Sequence, residues 1–134
     1  MKFNGTVLLV DDELHIRKYV GLILKKLGVQ TILEASNGEE ALAIFEREKP
    51  EVVLLDVNMP FMGGLEVLKK IKEIDANCAV IMLTSLANRE TVEETLALGA
   101  AGYVRKDTPK EEIANALAEI IDSCFEQESD PPAR

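Results

Sequence analysis

Basic residues, cysteines, histidines and long apolar runs are all scarce in this chain, and each shortage argues against a class of function. Fifteen Lys and Arg stand against 24 Asp and Glu, giving a formal net charge of -9 and a pI near 4.7. Non-specific nucleic-acid binding needs clustered cations to neutralise phosphates, so direct nucleic-acid contact is not expected. An acidic chain can still hold a cation. The two cysteines, Cys78 and Cys124, lack the paired spacing of a zinc or redox motif and read as reduced thiols. The single histidine, His15, reads as a solvated side chain on the first helix. No apolar stretch approaches the ~20 residues of a membrane-spanning helix, and Met1-Lys2-Phe3-Asn4-Gly5 has no signal-peptide pattern. The expectation is a soluble, cytoplasmic protein with no membrane contact.

What is present is a core. With 134 residues, of which 47% are hydrophobic, the chain suits one domain. Short apolar runs alternate with longer helical patterns, which predicts five βα units and a doubly wound α/β fold around a parallel sheet. The first run is Val7-Leu8-Leu9-Val10; the helix after it, about Glu13 to Leu27, repeats Ile16, Val20, Ile23, Leu24 and Leu27 on one face, with Gly28 as its left-handed cap. A strand near Thr31 to Leu33 leads to Asn37, which can cap a second helix with Glu40 three residues on. Pro50 stops that helix ahead of Val52-Val53-Leu54-Leu55, and Gly63-Gly64 supplies a flexible turn into a third.

The fourth strand, Ala79 to Leu83, is apolar on both faces, as a sheet covered on both sides requires. The following helix, about Arg89 to Leu98 with Gly99 as cap, is more polar and should be the least firmly held. A fifth strand, Gly102 to Arg105, precedes Thr108-Pro109-Lys110-Glu111, where Thr caps, Pro takes the first helical position and Glu completes the box. Residues 1–125 are expected to form the domain. Residues 126–134 have too little apolar content to order and read as a mobile tail or the start of a linker.

Polar groups follow four of the five strands: Asp11-Asp12, Asp56, Thr84-Ser85 and Lys106. Singly, each has an ordinary explanation as a capping or solvated loop residue. Together they point to chemistry, because ligands of open parallel sheets bind outside the carboxyl ends of the strands. Three carboxylates there repel one another, by about 4 kcal/mol for a pair at 4 Å and an effective dielectric near 20. A hard divalent cation such as Mg²⁺ relieves this through oxygen ligands. An aspartate beside it can act as nucleophile and form an aspartyl phosphate, with a Lys ammonium and a hydroxyl stabilising the transferring group.

The set resembles the receiver domain of bacterial two-component response regulators, of the single-domain, chemotaxis-regulator kind. The matching residues are Val10-Asp11-Asp12-Glu13, Asp56-Val57-Asn58-Met59-Pro60, Gly63-Gly64, Thr84-Ser85, Gly99-Ala100-Ala101-Gly102-Tyr103 and Lys106. The resemblance implies a flavodoxin-like three-layer sandwich with strand order 2-1-3-4-5. It implies that Asp56 accepts a phosphoryl group from a histidine kinase or histidine phosphotransfer protein. Asp12 and Asp56 would coordinate Mg²⁺ directly, Asp11 through water, and Asn58 through its backbone carbonyl. Thr84 would hydrogen-bond the phosphoryl oxygen and Lys106 would pair with it. On activation Thr84 would move toward the phosphate and Tyr103 would turn inward, remodelling the surface of the fourth helix, fifth strand and fifth helix. Auto-dephosphorylation in the same site, flanked by Asn58 and Leu86, is part of the pattern. Where the family commonly has Pro after the Lys, often through a cis bond, this chain has Asp107; a cis bond without proline costs roughly 3 kcal/mol.

Other readings compete. A haloacid-dehalogenase-like phosphatase carries a second Asp two residues after its nucleophile, and here that position is Asn58. An FMN-binding module would need a phosphate-cradling loop after Val10, where two acids stand instead. A phosphorylation-independent interaction domain leaves the acidic set unexplained. The output is either a downstream protein partner or a domain elsewhere in a longer regulator, and homodimerisation on phosphorylation is left open.

Overall fold

The computed structural model describes residues 3–85 and 89–129. Five strands, β1 (Thr6–Val10), β2 (Thr31–Ala35), β3 (Val52–Asp56), β4 (Ala79–Thr84) and β5 (Gly102–Arg105), alternate with helices α1 (Leu14–Lys26), α2 (Gly38–Glu48), α3 (Gly64–Ile74), α4 (Arg89–Ala97) and α5 (Lys110–Ser129). All pairings are parallel and the sheet order is β2-β1-β3-β4-β5. The doubly wound sandwich expected from the alternation is the one observed.

Strand periodicity divides the core in two. Val7, Leu9, Val52, Leu54, Ile81, Leu83 and Val104 face one side and pack with Val20, Ile23 and Leu24 of α1 and Ile113, Leu117 and Ile121 of α5. Leu8, Val10, Val53, Leu55, Val80 and Met82 face the other and pack with Ala41 and Phe45 of α2 and Val67, Leu68 and Ile71 of α3. Val7–Val10 of β1, Val52–Leu55 of β3 and Ala79–Leu83 of β4 are therefore apolar without alternation, as strands covered on both faces require. Among the described residues, no helix is long and apolar enough to cross a membrane.

The local signals set the helix ends with few exceptions. The Asn37 side chain accepts the Glu40 N–H at 2.8 Å, and Glu40 Oε1 reaches back to accept the Ser36 N–H at 2.7 Å. That contact holds the Glu40 carboxyl below its usual range. Gly28 and Gly99 end their helices at φ 103° and 100°, in the left-handed region. β2 extends past Leu33 to Ala35 because it pairs with β1 as far as Val10.

Two expectations need correction. Gly64 is not a flexible hinge: a Cβ there would come within 2.9 Å of the Val57 Cα, so the residue is small because the chain leaving β3 runs against it. Thr108 does not cap α5 through its hydroxyl, which donates instead to the Arg105 carbonyl at 2.8 Å. The helix opens at Lys110, and the Pro109 carbonyl accepts the Glu112 and Ile113 N–H groups. The backbone of α5 also continues beyond Phe125 to Ser129; residues 130–134 of the expected tail lie outside the described residues. No peptide bond among the described residues is cis, the Lys106–Asp107 bond included.

Candidate functional site

Register and parity assemble the site. Val10 is level with Leu55, so the next residues, Asp11 and Asp56, are level at the carboxyl edge of neighbouring strands. Asp11, Asp56 and Lys106 continue the alternation of Val7-Leu9, Val52-Leu54 and Val104, so all three lie on the α1 and α5 side of the sheet. Lys106 follows Arg105, which is level with Thr84 across the β4 and β5 pair.

The result is an ion cluster built from opposite ends of the chain. Lys106 Nζ lies 2.9 Å from Asp11 Oδ2, 3.2 Å from Asp56 Oδ1 and 4.0 Å from Glu13 Oε1. Asp11 is fully buried and Asp56 is 2% exposed, while Asp12 faces solvent. One carboxylate oxygen from each of Asp11, Asp12 and Asp56 falls within 4.8 Å of the others. Backbone donors hold two of the acids: Glu13 N–H donates to Asp11 Oδ1 at 2.9 Å and Asn58 N–H to Asp56 Oδ1 at 3.2 Å. Each is a local turn in which the side chain accepts from the residue two positions on.

Burial, then the neighbouring Asp11, pushes the Asp56 carboxyl up from 3.8 to about 6, and Lys106 and the Asn58 N–H offset only part of this. Burial alone would depress Lys106, but its hydrogen bond to Asp11 and the charge of Asp56 outweigh that and raise it. Three carboxylates against one ammonium leave about two negative charges without compensation. An oxygen-only donor set with that residual charge fits a hard divalent cation.

Thr84 closes β4 at 3% exposure, its carbonyl accepting the Lys106 N–H at 2.9 Å. Tyr103 is 40% exposed and lines a shallow groove with Arg105, Glu112 and Ile120, away from the acids. Asn58 is exposed, as is His15, and Leu86 lies outside the described residues. Two residues belong to none of the sequence motifs. Arg17 of α1 donates to the Asp11 carbonyl at 2.6 Å and pairs with Glu34 of β2 at 2.9 Å, fixing the main chain under the cluster. Its signal was a charged residue on the otherwise apolar inner face of α1. Phe61, in the loop after β3, is fully exposed.

Comparison with known proteins agrees with this geometry. The response regulator receiver domain family matches residues 7–118. Sporulation initiation phosphotransferase F of Bacillus subtilis is 37% identical over 118 residues, covering 88% of this chain and 94% of that protein. Chemotaxis protein CheY of Halobacterium salinarum is 34% identical over 115 residues, covering 86% and 95%. Among solved structures, chemotaxis protein CheY4 of Vibrio cholerae superposes with a TM-score of 0.81 at 32% identity, covering 88% of this chain and 99% of that one. With the match running from the first buried strand into the last helix and the acidic cluster fitting the phosphorylation site, the chain belongs to the receiver domains of two-component response regulators.

Proposed function

We propose that Asp56 is the phosphoacceptor of a Mg²⁺-dependent cytoplasmic switch formed by residues 1–125. Asp11, Asp12, Asp56 and the Asn58 backbone carbonyl would hold the cation, and a partner histidine kinase or histidine phosphotransfer protein would supply the phosphoryl group. The observation that carries this reading is the environment of Asp56: buried, level with Asp11, and bridged to it by Lys106.

The chemistry follows from the charges. With its carboxyl at about 6, Asp56 is ionised by about tenfold over its acid form at pH 7. An ionised Asp56 oxygen attacks phosphorus in line; the bond from phosphorus to the donor breaks and the leaving group keeps the electron pair. A divalent cation held by these carboxylates would supply positive charge to the equatorial oxygens. Lys106, already within 3.2 Å of Asp56, transfers its ion pair to a phosphoryl oxygen with little movement. Thr84 donates its hydroxyl to another. Water attack on the acyl phosphate in the same site returns the carboxylate, so the chain catalyses both its own phosphorylation and its own dephosphorylation.

The switch reading rests on the outward Tyr103 and on α4. When Thr84 is drawn toward the phosphoryl group, Tyr103 turns inward and the face made by α4, β5 and α5 is remodelled for a downstream partner. A local charge event then biases a two-state element.

Acetyl phosphate with Mg²⁺ should add one phosphoryl group to the protein by intact mass. Asp56→Asn should take none; retention of the full shift in that variant would remove Asp56 from the role. Asp12→Ala should abolish Mg²⁺-dependent phosphorylation, and unchanged kinetics would take Asp12 out of the metal set.

A further inference from the structure

The loop between β3 and α3 holds a residue that folding does not explain. Phe61 is 105% exposed, so it buries no apolar surface in the domain. Its φ is 71°, in the left-handed region that residues with a Cβ, and bulky ones above all, avoid. Met62 N–H donates to the Pro60 carbonyl at 2.8 Å, which makes Phe61 the centre of a γ-turn with positive φ, the rare and strained form. Gly or Asn would sit there more easily. Strain of this kind, at a side chain with no partner in the fold, marks a residue kept for something outside it.

The surroundings say what that is. Phe61 itself forms part of the wall of a groove of about 640 Å³, with Ser36, Asn37, Glu39, Pro60, Met62 and Glu66. Ser36 follows the end of β2 and Pro60 follows the end of β3, so the groove opens at the same carboxyl edge as the acidic cluster. A protein that delivers a phosphoryl group to Asp56 must cover that edge. Glu39 and Glu66 in the groove, with the exposed Asp12, Glu13 and Glu40, make the edge strongly acidic. A partner face fitting it carries Lys or Arg around an apolar socket.

We propose that Phe61 is an anchor for the phosphodonor protein: it enters an apolar socket on that protein, the acids of the groove meet the socket's basic rim, and the docked pair brings the donor histidine over Asp56. Aromatic side chains seated in desolvated sockets carry a large share of binding energy at such interfaces. This inference rests on Asp56 being the acceptor.

The test uses Phe61→Asn, since Asn tolerates positive φ and the variant should unfold no earlier than the parent. Two donors are compared: acetyl phosphate, and an autophosphorylated histidine-kinase core selected for transfer to the wild-type chain. The expected result is a KM for the kinase core raised by about tenfold with kcat retained, and an acetyl phosphate rate within about twofold of wild type. Phe61→Tyr should restore most of the kinase KM. Equal loss with both donors, or no change with the kinase core, overturns the inference. A wild-type chain that takes phosphate from acetyl phosphate but from no kinase core also overturns it, while leaving Asp56 as acceptor. A wild-type chain phosphorylated by neither overturns the acceptor assignment itself.

Discussion

The centre of the sheet and its β5 edge are built to different standards. At β1 and β3, strands buried at nearly every position carry Asp11 and Asp56 outward from a sealed core, and Arg17 and Lys106 pin the acids from the helix and loop beside them. At β4 to β5, the covering helix α4 has Thr95 as the only buried residue among its described side chains, Leu96 is 47% exposed and Tyr103 is 40% exposed. A site that must hold three carboxylates at fixed separations needs strands that cannot yield. A surface that must change shape needs a loosely held helix. The same sheet serves both because its strands are continuous while its covering layer is not.

Replacing an inward residue at the firm centre should do the most damage. Leu54 is fully buried in the layer shared with α1 and α5, and Leu54→Ala should cost about 4 kcal/mol in urea unfolding through lost burial and an unfilled cavity. Next comes the charge that holds the acids together. Lys106→Met keeps volume but leaves Asp11 buried without its cation, and should cost about 3 kcal/mol in metal-free buffer. Added Mg²⁺ should recover part of that, because binding to the folded state alone stabilises it. A variant indifferent to Mg²⁺ would break the link between the cluster and the cation.

The pH response is smaller and has a defined sign. The folded Asp56 carboxyl titrates at about 6 against an ordinary 3.8, so the folded state binds the proton more tightly than the unfolded one. Its contribution is fully present below about pH 4 and is lost as pH rises through 6. Metal-free protein should therefore lose about 2 kcal/mol across this window relative to Asp56→Asn, measured as the difference between their unfolding midpoints at pH 4 and pH 8. Equal differences at both values would contradict the burial of Asp56 as the cause. Least affected should be Leu96→Ala on α4, whose cost should stay below about 1 kcal/mol because nearly half of the side chain already meets water. A cost near that of Leu54→Ala would erase the contrast between centre and edge.

The sequence was most informative where causes are local. Runs such as Val52-Val53-Leu54-Leu55 announced buried strands, Asn37 and Glu40 announced a helix start, and the polar residues closing four strands announced the edge where the site lies. It was least informative where two distant segments had to meet. Thr108 had a cap's pattern, yet the Arg105 carbonyl, made available by the turn after β5, took its hydroxyl. Gly64 read as freedom and proved to be lack of room, because only the folded chain brings Val57 against it.

Composition and spacing by themselves determined the fold class, the order of elements and which residues stand at the ends of strands, since these follow from periodicities of two and 3.6 and from the chemistry of caps. Only the tertiary structure decided that Lys106, 95 positions from Asp11, bridges it to Asp56, that Arg17 braces the Asp11 main chain, and that Phe61 is held outward in a strained turn. Those facts depend on strand register and on which surfaces pack, and such long-range geometry exists only once the sheet has closed and water has left its edge.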